Sequence, residues 1–118
     1  MTNLEMTRGD ANGIPVLRLR GRLTLGEGSR ALRALITDLA AEGHKNLLLD
    51  LGEVSYMDSS GLGALVSGYN SLKGGGGVVA LFNVPKRIEN LLEMSRLTSL
   101  FPMFATEQDA AGHFSGAA

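Results

Sequence analysis

The sequence predicts a single α/β domain in which a mixed β-sheet of about five strands packs against about four helices. Hydrophobic residues first recur at a period of about two residues, and later segments with a period of about 3.6 alternate with short apolar runs. A chain of 118 residues suits one domain with its own core, which we expect to comprise 1–118. We expect the ends, 1–3 and 113–118, to be frayed because they have little to bury.

The N-terminal part of the chain predicts an antiparallel hairpin. Leu4 and Met6 alternate with polar residues, and the turn-forming segment 9–13 separates them from a second alternating run, 14–23. Because side chains alternate across a strand, one face of the second strand is apolar and the other is basic. The apolar face carries Leu17, Leu19 and Leu23, and the basic face carries Arg18, Arg20 and Arg22. The basic stripe has two interpretations, a solvated face or a contact for an acidic partner.

The middle of the chain predicts helices that alternate with buried strands. From Ser29 onwards apolar residues recur at helical spacing, Gly43 stands where the helix ends, and 46–51 is a short apolar run. A loop is predicted over 52–58, and the helix that follows it stops at the four glycines 74–77. This order implies a sheet with helical crossovers.

The C-terminal part continues the alternation. An apolar run, 78–82, predicts a strand, and Pro85 suits the start of a helix because its missing N–H would be unpaired there. A last short strand is predicted over 101–105, followed by a weak helix from Glu107.

Composition excludes several classes of function. Eleven Lys and Arg against twelve Asp and Glu give a formal net charge of -1, so the chain as a whole does not attract nucleic acid or an anionic membrane. Cysteine is absent, which excludes disulfides and suits a reducing compartment. No apolar run approaches the ~20 residues of a membrane span, and His44 and His113 are isolated. We therefore expect a cytoplasmic protein with no direct membrane contact, no nucleic-acid partner, no metal and no cofactor.

The most informative segment is 56–63, which reads Tyr-Met-Asp-Ser-Ser-Gly-Leu-Gly and follows the central strand at the start of a helix. Asp and Ser are good N-cap residues because their side-chain oxygens accept hydrogen bonds from free N–H groups in the first turn. The same positive helix terminus is also a favourable place for a phosphate carried on a hydroxyl. The residues alone leave both interpretations open.

The heptapeptide 57–63 resembles the signature of the STAS family of anti-sigma-factor antagonists, and the resemblance extends through 85–97 to Phe101 and 107–110. It implies a STAS-like fold. In that family the Ser or Thr directly after the Asp is the phosphoacceptor, which here is Ser59 rather than Ser60. The resemblance implies a partner-binding surface formed by Asp58, Ser59, Ser60, Gly61, Leu62, Arg22 and Thr24.

The function that the resemblance implies is a non-enzymatic, phosphorylation-controlled switch. With Ser59 unphosphorylated, such an antagonist binds an anti-sigma factor and so releases a sigma factor for transcription. The anti-sigma factor is commonly a serine kinase with a histidine-kinase-like ATPase fold, and a PP2C-type phosphatase resets the switch. The antagonist itself contributes no catalytic residue.

The turn Gly21-Arg22-Leu23-Thr24 departs from this family pattern, because many such antagonists resemble Gly-Glu-Leu-Asp there. One acidic residue has become basic and the other neutral on a surface that faces the partner in the family. The identity of the cognate kinase is therefore open.

Two other hypotheses remain from the sequence. One is a STAS subunit of a membrane transport or lipid-trafficking assembly, which needs a transporter as its partner. A receiver-like domain phosphorylated on Asp50 is the other hypothesis, but the acidic pair and the strand-end lysine of such a site are missing.

Overall fold

A computed structural model describes residues 4–115, which form a five-stranded sheet and four helices. The strands are β1 (Leu4–Ala11), β2 (Ile14–Leu23), β3 (Asn46–Met57), β4 (Val78–Phe82) and β5 (Met103–Phe104). The helices are α1 (Glu27–Ala41), α2 (Ser59–Lys73), α3 (Lys86–Met94) and α4 (Glu107–Ser115). The predicted α/β class and the alternation of helices with strands are confirmed.

The sheet is mixed, and its strands lie in the order β1-β2-β3-β4-β5. β1 pairs with β2 in the antiparallel sense, as predicted, whereas β2, β3, β4 and β5 are parallel to one another. Each parallel pair is joined by a helix that returns the chain to the opposite end of the sheet. The carboxyl ends of β2, β3 and β4 therefore meet at one edge.

The main hydrophobic core lies between one face of the sheet and helices α1, α2 and α3. The strands contribute Leu17, Leu19, Leu23, Leu49 and Leu81 to this core, and the helices contribute Ile36, Leu65 and Leu92. A smaller cluster on the other face packs β2, β3 and β4 against α4, through Val16, Leu48, Ala80, Ala110 and Ala111. The apolar and basic faces predicted for β2 are thus the buried and exposed faces.

The predicted loop over 52–58 is wrong, because β3 continues to Met57. Beyond Asp50 this strand has no partner in β4, but β2 remains paired with it, and Leu23 lies opposite Met57. This extension of β3 is mostly exposed, and its polar residues are as typical of an edge strand as of a loop. The sequence pattern therefore did not distinguish the two.

Several element boundaries also differ from the prediction. Helix α1 begins at Glu27, two residues before the predicted start, and Gly43 has the expected positive φ of 95° just beyond its end. β5 is shorter than 101–105. Helix α4 includes residues 113–115, so the first half of the segment predicted to be frayed is helical. Residues 1–3 and 116–118 lie outside the described part of the chain.

Within residues 4–115, no helix combines the length and the apolar character that crossing a membrane requires.

Candidate functional site

The candidate site lies where β2 and β3 end at the same edge of the sheet. Leu23 and Met57 are register partners, so the segment that leaves β2 and the segment that enters α2 begin side by side. In open α/β sheets this carboxyl edge is the usual place for a binding site, because the N-termini of the helices that follow the strands lie there. The fold thus brings the two predicted partner-binding segments, 22–24 and 58–62, together.

Asp58 joins these two segments through its side chain and its backbone. It is the N-cap of α2, with extended φ and ψ of -106° and -173°, and its Oδ1 accepts a hydrogen bond from the Gly61 N–H at 2.9 Å. Its Oδ2 accepts from the Leu25 N–H at 3.1 Å, and its own N–H donates to the Leu23 carbonyl at 3.3 Å. One carboxylate therefore fixes the start of α2 against the β2–α1 loop, which confirms the predicted N-cap.

The same hydrogen bonds keep Asp58 ionised. The backbone N–H of Gly61 is the largest cause that lowers the pKa of Asp58, and the N–H groups of Leu25 and Ser60 add to it. Desolvation opposes the shift without reversing it. A negative charge at a helix N-terminus is also favoured by the helix dipole.

Gly61 permits the close packing of α2 on β2. A Cβ at this position would overlap the Leu23 carbonyl oxygen and would lie 2.8 Å from Cγ of Met57. A larger residue would therefore displace the first turn of α2, which carries both serines. Leu62, one residue further, is partly buried and packs against the main core.

The two serines lie in different surroundings. Ser59 is the first residue of α2 and its side chain is exposed. Ser60 is partly buried and lines a cavity of about 680 Å³ between α2 and the start of α1. Ser59 is therefore the more accessible hydroxyl.

Arg22 and Thr24 lie on the other segment of the site. The Arg22 guanidinium lies 5.3 Å from the centroid of the Tyr56 ring, a cation–π contact, and both side chains are exposed. Thr24 is partly buried, and its carbonyl accepts a hydrogen bond from the buried Ser29 hydroxyl at 2.5 Å. This bond anchors the β2–α1 loop on α1.

The rest of the basic stripe on β2 is engaged in ion pairs. Arg18 pairs with Asp50 at 3.3 Å and with Glu107 at 2.6 Å, and Arg20 pairs with Glu53 at 3.5 Å. These contacts favour the solvated-face interpretation for Arg18 and Arg20.

A family model for the STAS domain matches residues 7–110. The chain belongs to the STAS domain family. It is 27% identical over 108 residues to the anti-sigma F factor antagonist of Paenibacillus polymyxa, a match that covers 92% of each protein. The family resemblance predicted from segment 57–63 is confirmed.

Two solved structures show the same STAS fold. The anti-sigma factor antagonist SpoIIAA in its unphosphorylated form matches with a TM-score of 0.77 at 23% identity, over 95% of this chain and 99% of that one. The murine anion transporter Slc26a9 in its inward-facing state matches with a TM-score of 0.74 at 20% identity, over 93% of this chain and 19% of the transporter. At these identities the likeness concerns the fold.

The match to the STAS family gives the receiver-like hypothesis no support. The Asp50 carboxylate accepts hydrogen bonds from the Gly52 N–H, the Asn83 amide and Arg18, and these bonds connect β3 to its neighbours.

Within residues 4–115 no group of three or more His, Cys, Asp or Glu side chains is placed to hold a metal ion.

Sequence reasoning missed three residues at this edge of the STAS domain. Leu25 is 81% exposed beside the site, and Arg30 and Arg33 line the same cavity as Ser60. The sequence contained one indication for Arg33. No acidic residue lies three or four positions away on its helix, so an ion pair within the helix is not available to it. Its closeness to α2 depends on tertiary packing.

Proposed function

We propose that this STAS domain is an anti-sigma factor antagonist, a protein-binding switch that binds an anti-sigma factor while Ser59 is unphosphorylated and so releases a sigma factor for transcription. Family membership and the antagonist relative, matched over 92% of its length, support this function. The observation that carries it is the placement of Ser59, an exposed hydroxyl at the first position of a helix whose entry is fixed by Asp58.

This placement allows a phosphate to act on a partner without unfolding the domain. A phosphate adds about -1.5 to -2 charges, and the positive end of a helix accommodates them. The exposed side chain needs no rearrangement to carry the group. At an interface the same phosphate loses its water and meets partner atoms that suit a neutral hydroxyl, so partner affinity falls steeply.

The surface that we assign to the partner is the edge around Ser59, formed by Asp58, Ser59, Ser60, Gly61, Leu62, Arg22 and Thr24. The partner that fits this role is a serine kinase with a histidine-kinase-like ATPase fold, which transfers phosphate from ATP to Ser59. A PP2C-type phosphatase reverses the modification. In this scheme the chain is a substrate and a binding partner in the cytoplasm, and it performs no catalysis itself.

The alternative function, a STAS subunit of a transport or lipid-trafficking assembly, has less support. The murine transporter shares the fold, but this chain covers only 19% of it. The antagonist relative is matched along nearly its whole length, which favours the switch.

Affinity capture followed by phosphorylation tests the proposal. The unphosphorylated chain is used as bait in extract of the native cell, and the retained proteins are identified by mass spectrometry. A kinase captured in this way is then purified and incubated with ATP and the wild-type, Ser59→Ala or Ser60→Ala chain. We expect a histidine-kinase-like ATPase that modifies wild type and Ser60→Ala but not Ser59→Ala. Undiminished phosphate on Ser59→Ala would refute the assignment of Ser59, and capture of a transporter instead would favour the alternative.

A further inference from the structure

An open cavity of about 680 Å³ lies beside Ser59, between the β2–α1 loop, the first two turns of α1 and the first turn of α2. Its lining consists of Leu25, Gly26, Ser29, Arg30, Arg33 and Ser60. Arg33 reaches across to α2, since its Nη2 would lie only 3.0 Å from a Cβ placed on Gly63. The cavity is therefore continuous with the surface assigned to the partner.

The cavity concentrates positive charge that residues 4–115 leave without an ion-pair partner. Arg8, Arg18 and Arg20 each pair with a carboxylate, at 3.2, 3.3 and 3.5 Å. Among residues 4–115 no carboxylate lies within ion-pair distance of the exposed Arg30 or Arg33 side chains. Two free guanidinium groups thus share one wall.

Apart from Ser60, the rest of the lining is apolar or already hydrogen-bonded. Leu25 is 81% exposed at the mouth of the cavity, and the Ser29 hydroxyl is occupied by its bond to the Thr24 carbonyl. Guanidinium groups bind carboxylates through paired N–H donors in a fixed plane, and an exposed leucine offers apolar contact next to them. The lining is therefore complementary to an acidic side chain that has an apolar neighbour.

We propose that this cavity receives an acidic segment of the anti-sigma factor, with a carboxylate against Arg30 and Arg33 and an apolar side chain against Leu25. The inference rests on the proposed function, and it specifies the chemistry of the partner's contact.

The same cavity supplies a physical mechanism for the switch. Gly63, which the Arg33 guanidinium approaches, lies four residues after Ser59 and so on the same face of α2, and a phosphate on Ser59 therefore adds negative charge to the face that Arg33 reaches. That charge screens the guanidinium groups and repels an incoming carboxylate. Part of the phosphorylation effect should therefore depend on Arg30 and Arg33.

Charge-removal variants test the docking role against the captured anti-sigma factor by titration calorimetry. We expect Arg33→Gln to weaken binding about tenfold, the Arg30→Gln/Arg33→Gln pair to weaken it further, and Arg33→Lys, which keeps the charge but loses the planar fork, to be intermediate. Lys45→Gln is the matched control, because Lys45 is exposed, lacks an ion pair among the described residues and precedes β3 at the opposite end of the sheet. It should change affinity less than twofold.

A double-mutant cycle tests the mechanism. Ser59→Asp should cost affinity in the wild-type background and cost at least threefold less in the Arg30→Gln/Arg33→Gln background, since interacting groups give non-additive effects. Equal effects in both backgrounds, or wild-type affinity of the arginine variants, overturn the inference and leave the proposed function intact. Failure of the wild-type chain to bind an anti-sigma factor overturns both. If inorganic phosphate alone raises the thermal midpoint, the cavity binds a small anion instead. If the chain dimerises in a way that depends on Arg30 and Arg33, the cavity binds a second copy of the chain.

Discussion

Replacing Gly61 with alanine should destabilise the domain although alanine is the better helix former. The added Cβ overlaps the Leu23 carbonyl oxygen and lies 2.8 Å from Cγ of Met57 and 3.0 Å from Cγ of Leu23. The Leu23 carbonyl belongs to the backbone and accepts a hydrogen bond from the Asp58 N–H. Relief of the overlap therefore requires α2 to move away from β2.

The magnitude follows from opposing contributions. Alanine in place of glycine gains about 0.5–1 kcal/mol in helix preference. Overpacking against a fixed wall costs about 1–3 kcal/mol, and weakening the bond between Asp58 and Leu23 costs about 0.5–1.5 kcal/mol. The net loss is about 0.5–4 kcal/mol, which for a domain of this size lowers the thermal midpoint by roughly 2–16 °C.

Thermal unfolding followed by circular dichroism measures this effect. Gly112→Ala is the matched control, because Gly112 also lies in a helix and a Cβ there meets nothing within 4 Å. We expect that variant to melt at or slightly above the wild-type temperature. If Gly61→Ala also melts at or above the wild-type temperature, the close approach of α2 to β2 is not a constraint and the reasoning is wrong.

Three other predictions concern the same edge and the fold. Asp58→Ala should lower the free energy of unfolding by about 0.5–2 kcal/mol yet leave the domain folded, because a helix cap is lost. Urea titration measures this effect, and a wholly unfolded variant would contradict a capping role. Because folding lowers the pKa of Asp58, its ionised form stabilises fully above the unfolded pKa of about 4, and that stabilisation is lost as pH falls through the lower folded pKa. Urea titrations below about pH 4 should therefore show a steeper loss in wild type than in Asp58→Asn, and parallel curves would exclude this linkage. A chelator should leave the thermal midpoint unchanged, because residues 4–115 contain no ligand cluster for a metal, and a clear fall would reveal one.

The fold could be predicted largely from local patterns. The alternation of Leu17 and Leu19 with arginines, the helical spacing around Ile36 and the glycines 74–77 each act over a few residues, and packing agrees with them. The end of β3 was missed because Gly52 to Met57 form a strand only through pairing with β2, about thirty residues earlier in the chain.

The candidate site shows the same division between local and long-range information. The cap formed by Asp58 follows from the chemistry of a helix start, which is encoded within four residues, whereas the choice of Ser59 came from the family resemblance. The cavity with Arg30 and Arg33 exists only because α1 packs beside α2. No local pattern specifies that packing, and the lack of an acidic neighbour for Arg33 on α1 does not by itself indicate a cavity.

The most direct test of the switch is titration calorimetry of the captured anti-sigma factor against wild-type chain, Ser59→Ala chain and chain phosphorylated on Ser59. We predict that Ser59→Ala binds within a few fold of wild type and that phosphorylation weakens binding by roughly two orders of magnitude or more, which corresponds to about 2.8 kcal/mol. Amide spectra of the phosphorylated chain should change mainly around 58–62 and 22–25. Equal affinity of the phosphorylated and Ser59→Ala chains would contradict the switch.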